Sequence, residues 1–92
     1  MIKTTIPVKH KVGLHARPAS MFVQAANKFA SEITVRNVNA GGEAVDAKSI
    51  LMVLTLGVVQ DNEIELCAQG DDELQAVQSL GDLVRNNFGE AE

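Results

Sequence analysis

The run Glu63-Ile64-Glu65-Leu66-Cys67-Ala68 alternates between charged or polarisable side chains and aliphatic ones. Successive side chains of a strand point to opposite faces, so Ile64, Leu66 and Ala68 share one face and Glu63, Glu65 and Cys67 the other. A strand apolar on one side only belongs in an antiparallel sheet covered on one face, because parallel strands are buried on both and read as continuous apolar runs. The N-terminal segment has the same period, with Ile2, Thr4, Ile6 and Val8 on one side and Lys3, Thr5 and Lys9 on the other. Pro7 has no N–H to give a neighbour, which places that strand at a sheet edge. Glu32 to Val38 reads as a further strand with Ile33 and Val35 inward. Asn39-Ala40-Gly41-Gly42 follows as a turn, since glycine accepts positive φ without steric cost. A short strand at about Glu43 to Asp46 completes a hairpin.

Helical patterns separate these strands. Pro18 opens one in which Phe22, Ala25, Ala26 and Phe29 recur at helical spacing. Lys48 to Leu54 is a brief helix or a strand, which its apolar run does not distinguish. Asp71 and Asp72, acidic residues suited to a helix start, precede Leu74, Val77, Leu80 and Val84. The order β-α-β-β-α-β-α predicts an α+β open-faced two-layer sandwich, a four-stranded antiparallel sheet with three helices on one face. Residues 1–92 contain no repeat, low-complexity tract or linker and read as a single domain.

A chain of 92 residues buries only about two thirds of its unfolded surface. Apolar residues make up 46 %, with three Phe and neither Trp nor Tyr, so the core is aliphatic. Aromatic platforms for stacking single-stranded nucleic acid are missing. The single cysteine, Cys67, excludes an internal disulfide and a cysteine zinc site, and its place in the alternation puts it on the uncovered face. No metal or cofactor is expected. Met1-Ile2-Lys3-Thr4-Thr5 lacks the pattern of a secretion signal. The longest apolar stretch, Ile50 to Val59, is interrupted by Thr55 and Gly57 and is too short to span a bilayer. A cytoplasmic setting without membrane insertion is the expectation.

The net charge of −4 hides an asymmetry. Residues 1–50 hold seven Lys/Arg against three Asp/Glu, and residues 51–92 hold one Arg against nine Asp/Glu. A basic half on an acidic protein suggests a local anion site or a docking face for an acidic partner. General nucleic-acid affinity is disfavoured, because phosphate contacts alone need a larger basic surface.

Gly13-Leu14-His15-Ala16-Arg17-Pro18-Ala19 is the stretch that carries chemistry. Proline is common near the first helical position, and the residue before it avoids the α region, which puts Arg17 at the boundary. Neither Ala16 nor Arg17 has the side-chain oxygen that caps a helix, so the first-turn N–H groups are open to an anion, helped by the helix dipole. His15 lies just outside. Neutral imidazole is a nucleophile, and a guanidinium offers a fork for phosphate oxygens. In-line positioning and charge stabilisation are what phosphoryl transfer requires. Taken alone, a histidine beside a helix start is ordinarily a surface residue or a cap. His10, at the end of the first strand, reads as exposed and non-catalytic.

The run at 13–19 closely resembles the active-site signature of HPr, the family of histidine-containing phosphocarriers of the bacterial sugar phosphotransferase system. Ala47-Lys48-Ser49-Ile50, followed by Leu56-Gly57, resembles that family's regulatory-serine segment. The element order is that of HPr as well. The resemblance implies a phosphorylated His15, modified on Nδ1, with Arg17 beside it and the backbone amides of Ala16 and Arg17 holding phosphoryl oxygens. It implies enzyme I, charged from phosphoenolpyruvate, as donor and enzyme IIA domains as acceptors, with the chain a monomeric carrier and not an enzyme. Ser49 would be the serine modified by an ATP-dependent HPr kinase, although a serine at a helix start is also an ordinary cap. A nitrogen-system paralogue with a signalling role would use the same His15. A small-molecule binding domain in which His15 is incidental is the contrasting expectation.

Overall fold

Four strands, β1 (Ile2–Pro7), β2 (Glu32–Asn37), β3 (Val45–Asp46) and β4 (Glu63–Gln69), form one antiparallel sheet in the order β1-β4-β2-β3. The structure is a computed structural model, and it describes residues 1–89; Glu90 and Glu92, counted above in the acidic half, lie outside the described residues. The alternating strand β4 is interior, pairing with β1 on one side and β2 on the other. Its inward residues align in rows across the sheet: Ile2, Ala68 and Ile33; Thr4, Leu66 and Val35; Ile6, Ile64 and Asn37. Pro7 ends β1, the edge strand, where its missing N–H costs no pairing.

Three helices, α1 (Ala16–Ala26), α2 (Ile50–Leu54) and α3 (Glu73–Arg85), cover the apolar face and give the expected open-faced sandwich. Phe22, Ala19, Val53, Leu80 and Val84 close over Ile6, Val35, Ile64 and Leu66, all of them buried. Fully burying one such side chain is worth about 1.5–3 kcal/mol, and that burial holds helices too short to persist alone. On the open face Cys67 is half-buried, opposite Lys3 and Thr34, as the alternation predicts. Arg36 and Glu65 form an ion pair of 3.0 Å there.

Several expectations are corrected. β3 spans only Val45–Asp46, not 43–46. The glycines before it carry no side chain to hold the returning limb, and pairing begins at the first β-branched residue. Leu74 is 55 % exposed. The buried stripe of α3 runs through Ala76, Val77, Leu80, Gly81 and Val84, and Leu74 sits about 90° round the helix from its centre. α1 opens at Ala16, so Pro18 is its third residue and Arg17 lies inside the first turn. Proline is still tolerated there, because that turn's N–H groups have no intrahelical acceptor.

Asn37, buried on the core side of β2, is satisfied at both ends of its amide. Its Nδ2 donates to the Leu56 carbonyl (3.0 Å) and to Asn62 Oδ1 (3.3 Å), and its Oδ1 accepts the Asn39 and Ala40 N–H groups. One side chain thereby fixes both the hairpin turn and the loop leading into β4.

Asp72 precedes α3 without capping it. Its carboxylate instead accepts the Ala30 N–H (2.9 Å), the Ser31 N–H (2.9 Å) and the Ser31 hydroxyl, tying the α1–β2 connection to the start of α3. The Ser31 hydroxyl first, then the Ala30 amide, hold this carboxyl below its ordinary 3.8. Glu73 is likewise lowered, by the Gly70 amide and then by the N-terminal ammonium. Such groups bind fewer protons folded than unfolded. Their stabilisation is therefore complete above the ordinary carboxylate value and is lost as pH falls through the lowered one. Denaturant unfolding between about pH 5 and pH 2 should show declining stability, with a shallower decline in Asp72→Asn; an identical slope in the variant would contradict the assignment.

Ser49 precedes α2, and its hydroxyl accepts the Met52 N–H at 3.4 Å. The short helix spans Ile50–Leu54, which resolves the helix-or-strand question left by the apolar run. Ser49→Ala should cost about 1 kcal/mol in denaturant unfolding and Ser49→Asp much less, because aspartate caps as well as serine does. Equal losses in both would mean that the cap contributes nothing.

Candidate functional site

The connection from β1 to α1 is pinned at both ends. Val8 donates to the Asn62 carbonyl (2.8 Å) and accepts from the Asp61 N–H (2.7 Å), continuing β1 beyond Pro7. Gly13 donates to the His10 carbonyl (2.9 Å), and Leu14 donates to the Val58 carbonyl (3.1 Å). Gly13 has φ +71, and a Cβ there would lie 2.2 Å from the Val58 carbonyl oxygen. Both the backbone angle and the approach require glycine. Leu14 is fully buried and anchors the segment beneath.

His15 follows in extended backbone (φ −134, ψ 169) as the N-cap of α1, its carbonyl accepting the Ala19 N–H at 3.3 Å. The half-buried imidazole makes no capping bond, and the first turn of α1 holds no acidic residue. The positive end of the helix dipole thus meets no carboxylate from α1's own first turn. Ala16 takes φ +51, a left-handed conformation that costs an L-residue about 1–2 kcal/mol. Ala16 and Arg17 are exposed, and Pro18 and Ala19 are buried against the core. The chain thus places a half-buried His15 and an exposed Arg17 at the start of one helix, where an anion is favoured by the helix dipole.

His10 corrects an expectation: it is 4 % exposed, not a surface residue. Its Nδ1 accepts the Val12 N–H at 3.2 Å, and its ring meets Phe88 edge to face with centroids 5.9 Å apart. Phe88 lies in the turn Asn87–Gly89, where Asn87 and Phe88 both have left-handed backbone.

Ser49 is not part of the His15 cluster. Asn27, at the end of α1, donates to the Lys48 carbonyl (3.1 Å), which sets Ser49 at the far end of α1, about 18 Å along the helix from His15. From Ser49 the chain runs through α2 and returns under Gly13 at Val58. Exposed apolar side chains mark this path: Ile50, Leu51, Met52, Leu54 and Val59, with Val12 beside Gly13. Among the described residues no group of three His, Cys, Asp or Glu could hold a metal ion, and no helix is long and apolar enough to cross a membrane.

The sequence pattern brought out His15 and its two neighbours. It carried no sign of the left-handed backbone at Ala16, since alanine has no preference for it. The contact of Gly13 with Val58, which lies far along the chain, was equally silent.

Comparison with known proteins agrees with this geometry. Residues 2–86 match the family model described as PTS HPr component phosphorylation site. The chain is 40 % identical over 85 residues to the HPr-like protein Crh of Bacillus subtilis, covering 92 % of this chain and 96 % of that protein. It is 40 % identical over 86 residues to the multiphosphoryl transfer protein of Haemophilus influenzae, covering 94 % of this chain but spanning only 17 % of that longer protein. The crystal structure of an HPr from Thermoanaerobacter tengcongensis superposes with a TM-score of 0.93 at 49 % identity over 100 % of both chains. With the fold, the sequence match and the structural match all in agreement, the chain belongs to the HPr family.

Proposed function

We propose that the chain accepts a phosphoryl group from enzyme I on His15 Nδ1 and passes it to enzyme IIA domains of a sugar phosphotransferase system. The observation that carries this reading is His15 standing as N-cap of a helix with no side-chain cap and no acidic residue in its first turn. An incoming phosphoryl group meets amide dipoles and the Arg17 guanidinium instead of a carboxylate. In the transfer, the imidazole lone pair forms the N–P bond as the donor's bond to phosphorus breaks, the released electron pair remaining on the donor. The reverse exchange passes phosphorus to the acceptor. The protein's contribution is positioning and charge stabilisation, without turnover of its own.

The surrounding surface supports docking. Val12 and Val59 offer exposed apolar area where the chain returns against Gly13, and Leu51 and Met52 add more along α2. Lys11 and Arg17, both exposed, flank His15 in the chain and add positive charge beside it. Such a face fits an acidic protein partner.

We propose Ser49 as the regulatory position, modified by an ATP-dependent HPr kinase. A phosphate adds about two negative charges at the start of α2. The helix dipole tolerates them there, while they repel an acidic partner approaching the neighbouring surface.

Incubation with enzyme I and phosphoenolpyruvate should add one acid-labile, base-stable phosphate to the wild type and none to His15→Ala. Arg17→Ala should accept it about tenfold or more slowly, with little change in unfolding midpoint because the side chain is exposed. A labelled His15→Ala would defeat the assignment, and an unfolded Arg17→Ala would make the arginine structural.

A further inference from the structure

We propose that His10 is a positioning residue for phosphoryl transfer, its ring nitrogen setting the turn that delivers His15; this rests on His15 being the acceptor. The turn between β1 and α1 begins at His10 and uses it twice. The His10 carbonyl accepts the Gly13 N–H at 2.9 Å, and the His10 Nδ1 accepts the Val12 N–H at 3.2 Å. A side-chain acceptor for the N–H two residues on is what asparagine and aspartate supply when they initiate turns. Here the residues at 11 and 12 are Lys and Val, neither of which can accept, and the imidazole takes that place.

The acceptor is held rigidly. The ring is nearly closed from solvent and packs edge to face on Phe88, itself 2 % exposed. The bond from Val12 requires a lone pair on Nδ1, so the neutral ring carries its proton on Nε2. From Val12 the constraint passes to Gly13 and Leu14, which the Val58 carbonyl fixes from the other side. The next residue is His15. With the Val12 bond absent, the near end of this turn keeps only the backbone bond from Gly13 to the His10 carbonyl, and the imidazole of His15 samples a wider range of positions. Misplacement of about 1 Å is enough to slow a positioned reaction strongly.

Two variants separate the acceptor from the packing. His10→Phe keeps an aromatic ring against Phe88 and has no acceptor, whereas His10→Asn keeps an acceptor and has no aromatic ring. With enzyme I and phosphoenolpyruvate, His10→Phe should lose about tenfold or more in kcat with KM unchanged, while His10→Asn restores kcat at a lower unfolding temperature. Wild-type rates in His10→Phe, or equal losses in both variants, would overturn the proposal. A wild type that takes no label on His15 would overturn the functional reading itself, which is a distinguishable result. Independently of any variant, 15N NMR of the neutral His10 ring should show the proton on Nε2; a proton on Nδ1 would rule out the Val12 bond and the proposal with it.

Discussion

The backbone of Gly13 lies so close against the carbonyl of Val58 that a Cβ, which glycine does not have, would stand 2.2 Å from its oxygen. Everything at the functional end follows from that contact. It brings the chain after β1 down onto the segment after α2, lets Leu14 donate to Val58 and enter the core, and leaves His15 as the first residue past the anchor. Any other residue at this position would have to push the two segments apart, and the position of His15 would move with them.

The rest of the molecule is a means of holding that contact still. A sheet covered on one face gives β1 and β4 a fixed register, and Asn62 locks the loop before β4 through its carbonyl, which accepts the Val8 N–H, and its side chain, which accepts the Val59 N–H. Asn37 reaches the same loop from β2. The loop that carries Val58 is therefore braced from two strands, and the His15 turn is braced from that loop and from His10. Rigidity near the imidazole coexists with exposure of Ala16 and Arg17, which is the combination a carrier of a transferable group requires: a fixed acceptor open to successive partners.

The fold was legible because β4 and β1 keep a period of two and α1 and α3 a helical period, each with one apolar face. Where the reading failed, the cause was information lying outside the local window. Leu74 fits a helical spacing to Val77, yet the sheet meets α3 along a stripe centred elsewhere. Asp72 has the chemistry of a cap, but the Ser31 and Ala30 amides, brought near only by the tertiary fold, claim its carboxylate. His10 is the exception, since it continues the inward parity of Ile6 and Val8 and its burial was within reach of the alternation, although its partner Phe88 lies near the other end of the chain. The site was legible as a short motif, His15-Ala16-Arg17-Pro18, whereas its geometry was not: neither the left-handed Ala16 nor the docking of Gly13 leaves a trace in local sequence.

The central claim is that the start of α1 receives the phosphoryl group carried by His15. Amide 1H–15N spectra recorded before and after phosphorylation test it at the atoms concerned. The account predicts large downfield shifts confined to the Ala16 and Arg17 amides and their neighbours, with the first turn of α3 unmoved. Amides of Ala16 and Arg17 that stay in place while His15 is phosphorylated would contradict it.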